Sequence, residues 1–132
     1  MEHYLIEHCS PTLASLKTAN LFNYTFCSED ELQDHLKTLA STLEPKGVSI
    51  TILRKRAQSA LIYVYREKKL RADLNHPNAC KILRRNGYTD TSVEAALMHL
   101  KERFASCACS KEFPHEIGLF LGYPPADVAG ND

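Results

Sequence analysis

The sequence predicts an α+β fold in which a small antiparallel or mixed sheet of about three strands is covered on one face by four to five helices. Alternating polar and apolar residues, the pattern of half-buried strands, occur between residues 20 and 65. One helical apolar stripe interrupts them, and only helical patterns follow. The chain has 132 residues, of which 44% are hydrophobic, so it is long enough for a core of its own. We therefore predict a single domain over residues 1–132.

The first half of the chain begins with a predicted strand at residues 20–27, followed by a helix. Ser28, with Glu31 three residues later, forms a capping box, which marks the start of a helix. Pro45 and Gly47 end that helix. Its apolar stripe has helical spacing: Leu32, Leu36, Leu39 and Leu43.

Two further strands are predicted at residues 48–53 and 60–65, where β-branched and aromatic residues alternate with polar ones. Because a short polar stretch joins them, they are predicted to form a hairpin. The turn of this hairpin is expected to carry Arg54, Lys55 and Arg56.

The second half of the chain is predicted to be helical throughout. A short helix is expected at residues 66–73, and a second one begins at His76-Pro77 and ends at Asn86-Gly87. A clear amphipathic helix follows from residue 90 to Phe104. Near the end, an apolar helical turn after Pro114 is stopped by Gly-Tyr-Pro and immediately restarts.

The net charge is zero, but the charged residues are distributed unevenly along the chain. Residues 48–85, here called the basic segment, contain ten Lys and Arg against two Asp and Glu, whereas the stretches before and after each contain three against seven. The cations are either balanced within the fold or attract acidic protein or phosphate. The predicted electrostatic contacts are Arg54, Lys55, Arg56, Lys68, Lys69, Arg84 and Arg85.

Cysteine and histidine residues suggest a metal- or redox-linked alternative. Five cysteines are an odd count in a chain with its own core, which favours reduced thiols over disulfides. Cys107, Cys109, His115 and Cys9 are residue types that bind zinc or iron. However, the Cys-x-Cys spacing is shorter than the usual two to four intervening residues, so the main prediction is no metal and no cofactor.

Catalytic signatures are weak. Cys9 or Cys109 could act as a nucleophile with His115 and Glu116, but nothing in the sequence brings them together. Glu116 lies in the predicted first turn of the last helix, where a carboxylate favours capping. Phosphate-binding glycine loops and His-Glu-x-x-His motifs are absent from the sequence. We expect a protein that is not an enzyme.

Nucleic-acid binding is a further alternative. Tyr63 and Tyr65 lie next to the basic hairpin turn, where they could stack on bases. The C-terminus has the spacing of a helix-turn-helix, but residues 124–132 contain no Arg or Lys to read bases. The small and apolar residues with that spacing are Ile117, Gly118, Leu121, Gly122, Tyr123 and Val128.

The location predicted from the sequence is the cytoplasm. Met1–His8 has neither a basic leader nor an apolar run. No later apolar run approaches the roughly 20 residues that span a bilayer. We therefore expect no membrane partner, and the sequence does not indicate an oligomeric state.

The block His115–Pro124, together with residues 9–17 and 20–22, resembles a bacterial family known only as domain-of-unknown-function family 3793. The resemblance covers the whole chain and implies a bacterial cytosolic protein, without an activity, substrate or cofactor to transfer. Members of that family continue past the position of Val128 with a further segment. The resemblance thus implies that this chain is shorter at its C-terminus and lacks any site that segment forms.

These observations lead to one main functional hypothesis. We expect a small cytosolic accessory protein that binds another macromolecule, more readily protein than nucleic acid, through the basic segment. His115 and Tyr123 are predicted to form a second contact patch.

Overall fold

A computed structural model of the chain describes residues 18–106 and 116–123, and these residues confirm the α+β class. The described residues contain a three-stranded antiparallel sheet, five α-helices and one 3₁₀ helix. The chain divides into two compact units, Met1–Glu67 and Lys68–Asp132. In the described residues the first unit contains the sheet and the second contains only helices, so the boundary falls inside the basic segment. The prediction of a single domain stays a prediction.

The sheet of the first unit has the order β1-β3-β2, and both pairs are antiparallel. The strands are β1 (Ala19–Thr25), β2 (Val48–Lys55) and β3 (Ser59–Arg66). The central strand β3 carries the longest run of buried residues because it has a neighbour on each side. The β2–β3 hairpin is confirmed. Its predicted turn was too long, because Arg54 and Lys55 lie in β2 and only Arg56 follows the strand.

Helix α1 (Glu29–Leu43) begins at Ser28, as predicted. The Ser28 hydroxyl accepts a hydrogen bond from the Glu31 backbone N–H at 3.2 Å. The Glu31 carboxylate accepts from the N–H of Cys27, one residue before the cap, at 3.2 Å. The first bond satisfies a backbone donor that the helix start would leave unpaired, and the second ties the residue before the cap to the first turn.

After α1, the chain forms a 3₁₀ helix (Glu44–Lys46) and then turns at Gly47, where φ is 74°. This positive φ favours glycine. One face of the sheet packs against α1 and forms the core of the unit. The buried members of that core are Phe22, Tyr24, Phe26, Leu32, Leu39, Leu43, Val48, Ala60, Ile62 and Val64.

The second unit contains four helices in its described residues: α2 (Glu67–Leu74), α3 (Pro77–Arg85), α4 (Val93–Ser106) and α5 (Ile117–Phe120). Their buried residues are mainly Leu, Ala, Ile and Phe at helical spacing. The start of α3 at Pro77 and the ends at Gly87 and Gly122 agree with the sequence prediction.

No helix of the described ranges combines the length and the apolar character that crossing a membrane requires.

Candidate functional site

The described part of the first unit contains an open polar pocket of about 280 Å³ at the turn end of the sheet. We call it the hairpin pocket. It is lined by one residue from β1, two from the end of β2 and two from the start of β3: Asn23, Arg54, Arg56, Ser59 and Leu61. Two of these side chains are guanidinium groups, and none is acidic.

A β-bulge in β2 places Arg54 in this pocket. Ile52 lies opposite Ile62 of β3, on the face that α1 covers. Two residues later, Arg54 lies opposite Leu61 and not opposite Ala60. Because side chains alternate between the two faces of a strand, this shift moves Arg54 to the face away from α1.

The register of the sheet gathers the other lining residues beside Arg54. Asn23 of β1 also lies opposite Leu61, so three adjacent strands contribute side chains at the same level. Ser59 is two residues before Leu61 and therefore points to the same face. The backbone N–H of Arg56 donates to the Ser59 carbonyl at 2.8 Å and closes the hairpin at the pocket.

Lys55, the cation between the two arginines, has an acidic partner within the fold. Its amine donates a hydrogen bond to the Glu29 carboxylate at 2.5 Å. This bond lowers the pKa of Glu29 below its ordinary value of 4.5. Lys55 is therefore balanced internally, unlike Arg56, which forms no ion pair with a described residue.

The remaining cations predicted as contacts lie on two helices of the second unit. Lys68 and Lys69 are in the first turn of α2, whereas Arg84 and Arg85 are in the last turn of α3. Lys69 is half-buried and the other three are exposed. Cations at a helix C-terminus interact favourably with the helix dipole, which gives Arg84 and Arg85 a local structural role as well.

The second unit also contains a buried ion pair that the sequence did not reveal. Glu116 is fully buried, and its carboxylate is ion-paired with the Arg103 guanidinium of α4. Arg103 Nη2 donates to Glu116 Oε1 at 3.2 Å, and the Tyr88 hydroxyl donates to Glu116 Oε2 at 2.9 Å. These donors give the buried carboxylate the partners that its burial requires.

A second layer of contacts surrounds this cluster. Arg103 Nη2 also donates to the Asn86 side-chain oxygen at 3.3 Å. His99 Nε2 lies 3.2 Å from the Asn86 carbonyl, which can only accept, so that nitrogen carries the proton. The His99 ring packs edge-on against Tyr88, with ring centroids 4.3 Å apart. Gly87 has a φ of 90°, and a Cβ there would lie 3.3 Å from His99 Nε2.

The environment of Tyr88 keeps its hydroxyl protonated. Burial, and then the Glu116 charge, raise the pKa of Tyr88 well above its ordinary value of 10.0. A protonated phenol can donate to the Glu116 carboxylate, whereas a phenolate would repel it. The Glu116 carboxylate therefore has its partners within the cluster, and its ion pair with Arg103 links the segment that begins at Glu116 to α4.

The capping role predicted for Glu116 is wrong. Helix α5 begins at Ile117, and Glu116 makes no side-chain hydrogen bond to cap it. Its carboxylate instead accepts from Arg103 and Tyr88, because full burial favours the strong charge-assisted partners over the helix end. Only the Glu116 backbone carbonyl contributes to α5, where it accepts from Leu119 N–H at 2.9 Å.

The residues of the metal and nucleophile hypotheses lie outside the described residues: Cys9, Cys107, Cys109 and His115. The two described cysteines, Cys27 and Cys80, are free thiols. Within residues 18–106 and 116–123, no three His, Cys, Asp or Glu side chains group to hold a metal. Tyr123, predicted for the second patch, is 50% exposed.

Of the two rings in the nucleic-acid hypothesis, Tyr63 is buried and Tyr65 is half-buried. Tyr63 is fully buried on the sheet face away from α1 and stacks on Tyr65, with ring centroids 4.9 Å apart. A buried ring offers no face to a base. The predicted recognition part of the helix-turn-helix, residues 124–132, lies outside the described residues.

A family model described as a protein of unknown function (DUF3793) matches residues 5–131, which confirms the resemblance noted in the sequence. No curated protein and no solved structure matches the chain. The family description assigns no activity, so any functional argument has to come from the arrangement of the residues themselves.

Proposed function

This chain belongs to the DUF3793 family of proteins of unknown function, and we propose that it is a small, non-enzymatic accessory protein that binds an acidic protein partner. The proposed binding residues are the cations of the basic segment that form no ion pair with the described residues, and the proposed location is the cytoplasm. His115 and Tyr123 remain proposed contacts of a second patch.

One observation carries the proposal. Five of the seven cations selected from the sequence form no ion pair with the described residues. These are Arg56, Lys68, Lys69, Arg84 and Arg85. Charge balance within the fold therefore accounts for Lys55. We propose that the other five cations contact a partner. Exposed charges of one sign raise the rate at which an oppositely charged partner associates.

Protein is favoured over nucleic acid as the partner. Of the two rings that could stack on bases, Tyr63 is buried and Tyr65 is half-buried. The stretches on either side of the basic segment each carry four more acidic than basic residues, which disfavours a long phosphate backbone.

The test is affinity capture from lysate of the native host, with and without nuclease treatment, with the retained proteins identified by mass spectrometry. Bait proteins are the natural chain, Arg56→Glu and the double variant Arg84→Glu/Arg85→Glu. Lys37→Glu and the double variant Lys37→Glu/Lys101→Glu are matched controls, because both lysines are exposed and lie outside the basic segment. Each control changes the net charge as much as its counterpart.

We expect one specific protein to be retained by the natural chain and by both controls. The Arg56 or the Arg84/Arg85 variant should retain roughly tenfold less, and high salt should weaken retention by the natural chain. Equal retention by all baits would overturn the proposal. So would material that disappears entirely after nuclease treatment.

A further inference from the structure

We propose that the hairpin pocket binds the carboxylate of one Asp or Glu side chain presented by the partner. This inference rests on the proposed function, since it specifies the chemistry by which an acidic partner is held. It also assigns a role to two uncharged residues, Asn23 and Ser59, which an argument based on charge does not identify.

The donors in the pocket suit a carboxylate. Arg56 offers a planar fork of N–H groups, which pairs with the two oxygens of a carboxylate, and Arg54 adds a second positive charge to the lining. The Asn23 amide and the Ser59 hydroxyl can donate to lone pairs that the guanidinium groups leave unoccupied. Leu61 supplies an apolar surface for the methylene groups of an acidic side chain.

The backbone that carries the donors is held in place before any ligand binds. Asn23, Arg54 and Ser59 are on strands whose pairing fixes them at neighbouring register positions. The hairpin end is held by two backbone hydrogen bonds, from Arg56 N to the Ser59 carbonyl at 2.8 Å and from Phe26 N to the Gln58 carbonyl at 3.0 Å. Donors positioned by rigid elements lose little freedom on binding.

The bulge in β2 is further support. A regular strand would have placed Arg54 on the apolar face that packs against α1, where a guanidinium group would be costly to bury. The register shift between Ile52 and Arg54 instead delivers this cation to the pocket. Bulges commonly re-aim a side chain next to a functional site.

The size of the pocket indicates a single side chain. Its volume of about 280 Å³ lies just below the range typical of ligand pockets, roughly 300–1,000 Å³. A nucleic-acid strand would need a longer groove with exposed aromatic rings, whereas Tyr63 on the same sheet face is fully buried. The pocket thus matches one acidic residue.

The test is calorimetric titration of the purified chain with a hexaglutamate peptide, with hexaglutamine and a six-nucleotide thymidine strand as comparison ligands. The variants are Arg56→Gln and Asn23→Asp, with Lys37→Gln as the control. All three lower the net charge by one. Lys37 is exposed on α1, the helix that covers the opposite sheet face, and Asn23 and Arg56 are also exposed, so folding is expected to be retained.

We expect hexaglutamate to bind the natural chain and Lys37→Gln with affinities within about twofold of each other. Arg56→Gln and Asn23→Asp should each weaken binding by roughly tenfold, the value of one charge-assisted hydrogen bond. A chemical-shift change at the Asn23 side-chain amide during the titration would locate the peptide. Equal weakening in all three variants, or binding of the thymidine strand in place of hexaglutamate, would overturn the inference.

The two proposals can fail separately. If hexaglutamate does not bind but capture of the partner still depends on Arg56, the pocket inference is wrong and the proposed function stands. If hexaglutamate binding depends on Asn23 and Arg56 but no charge-dependent protein partner is captured, the proposed function is wrong and the pocket remains a carboxylate site.

Discussion

The hairpin pocket of the first unit and the Glu116 cluster of the second unit use the same side chain, arginine, in opposite ways. Arg103 is ion-paired with a carboxylate from its own chain, and that carboxylate is fully buried. Arg56 is exposed beside an open pocket and has no ion pair with a described residue. The two arginines differ in their counter-charge: Arg103 has one from its own chain and is structural, whereas Arg56 has none among the described residues and is the one proposed to contact a partner.

The two arginines also lie in stretches of opposite charge, but this position along the sequence does not determine whether a cation is paired. Arg103 lies in the acidic C-terminal stretch and Arg56 in the basic segment. Lys55 shows that the basic segment itself is mixed, since this lysine is paired with Glu29. The difference between the two arginines therefore depends on the contacts each one makes, and substitutions that remove single contacts can test it.

The largest effect is expected from Glu116→Ala. Removing this carboxylate leaves the Arg103 guanidinium and the Tyr88 hydroxyl without their shared partner. We expect the free energy of unfolding to fall by about 3 kcal/mol, as when one member of a buried ion pair is lost. Urea unfolding at neutral pH, followed by circular dichroism, measures the change.

Glu102→Ala is the matched control for that variant. The Glu102 side chain is 77% exposed and lies on the same helix as Arg103. We expect its loss to change the free energy of unfolding by less than about 0.5 kcal/mol. If the two variants were equally stable, the buried cluster would not be structural and the comparison between the two arginines would fail.

A smaller effect is expected from Lys55→Ala, because the Lys55–Glu29 pair is exposed. Lys55 lowers the pKa of Glu29, mainly through their hydrogen bond, so the substitution should return that pKa toward 4.5. A folded-state pKa below the unfolded value stabilises the protein above the unfolded pKa, and this contribution is lost as the pH falls through the folded pKa. The stability difference between the two chains should therefore vanish in acid. Carboxyl ¹³C NMR during a pH titration measures the Glu29 pKa directly, and an unchanged value would show that the pair does not form in solution.

Most helices and strands were predictable because their signals are local. Ser28 and Glu31 mark the start of α1, and Gly87 with φ of 90° follows α3 where Asn-Gly predicted an end. The alternation along β2 predicted the strand but missed the bulge before Arg54. A bulge shifts the register by one residue without changing composition, so periodicity cannot locate it.

The candidate sites were less predictable, because their partners are distant along the chain. Glu116 meets Arg103 and Tyr88, which are 13 and 28 residues away. A helix-start position was the local signal for Glu116, and full burial overrode it. Likewise, the sequence selected Arg54 and Arg56 by charge but gave no signal for Asn23, which only strand pairing brings beside them.

The central claim is that a protein partner is held by its carboxylates at the hairpin pocket, and displacement tests it most directly. The captured partner, bound to the immobilised natural chain, is challenged with hexaglutamate, hexaglutamine or sodium chloride at matched ionic strength. The account predicts release by hexaglutamate at concentrations that saturate the pocket, with little release by the other two. A partner that stays bound while the pocket is saturated with hexaglutamate would contradict the claim.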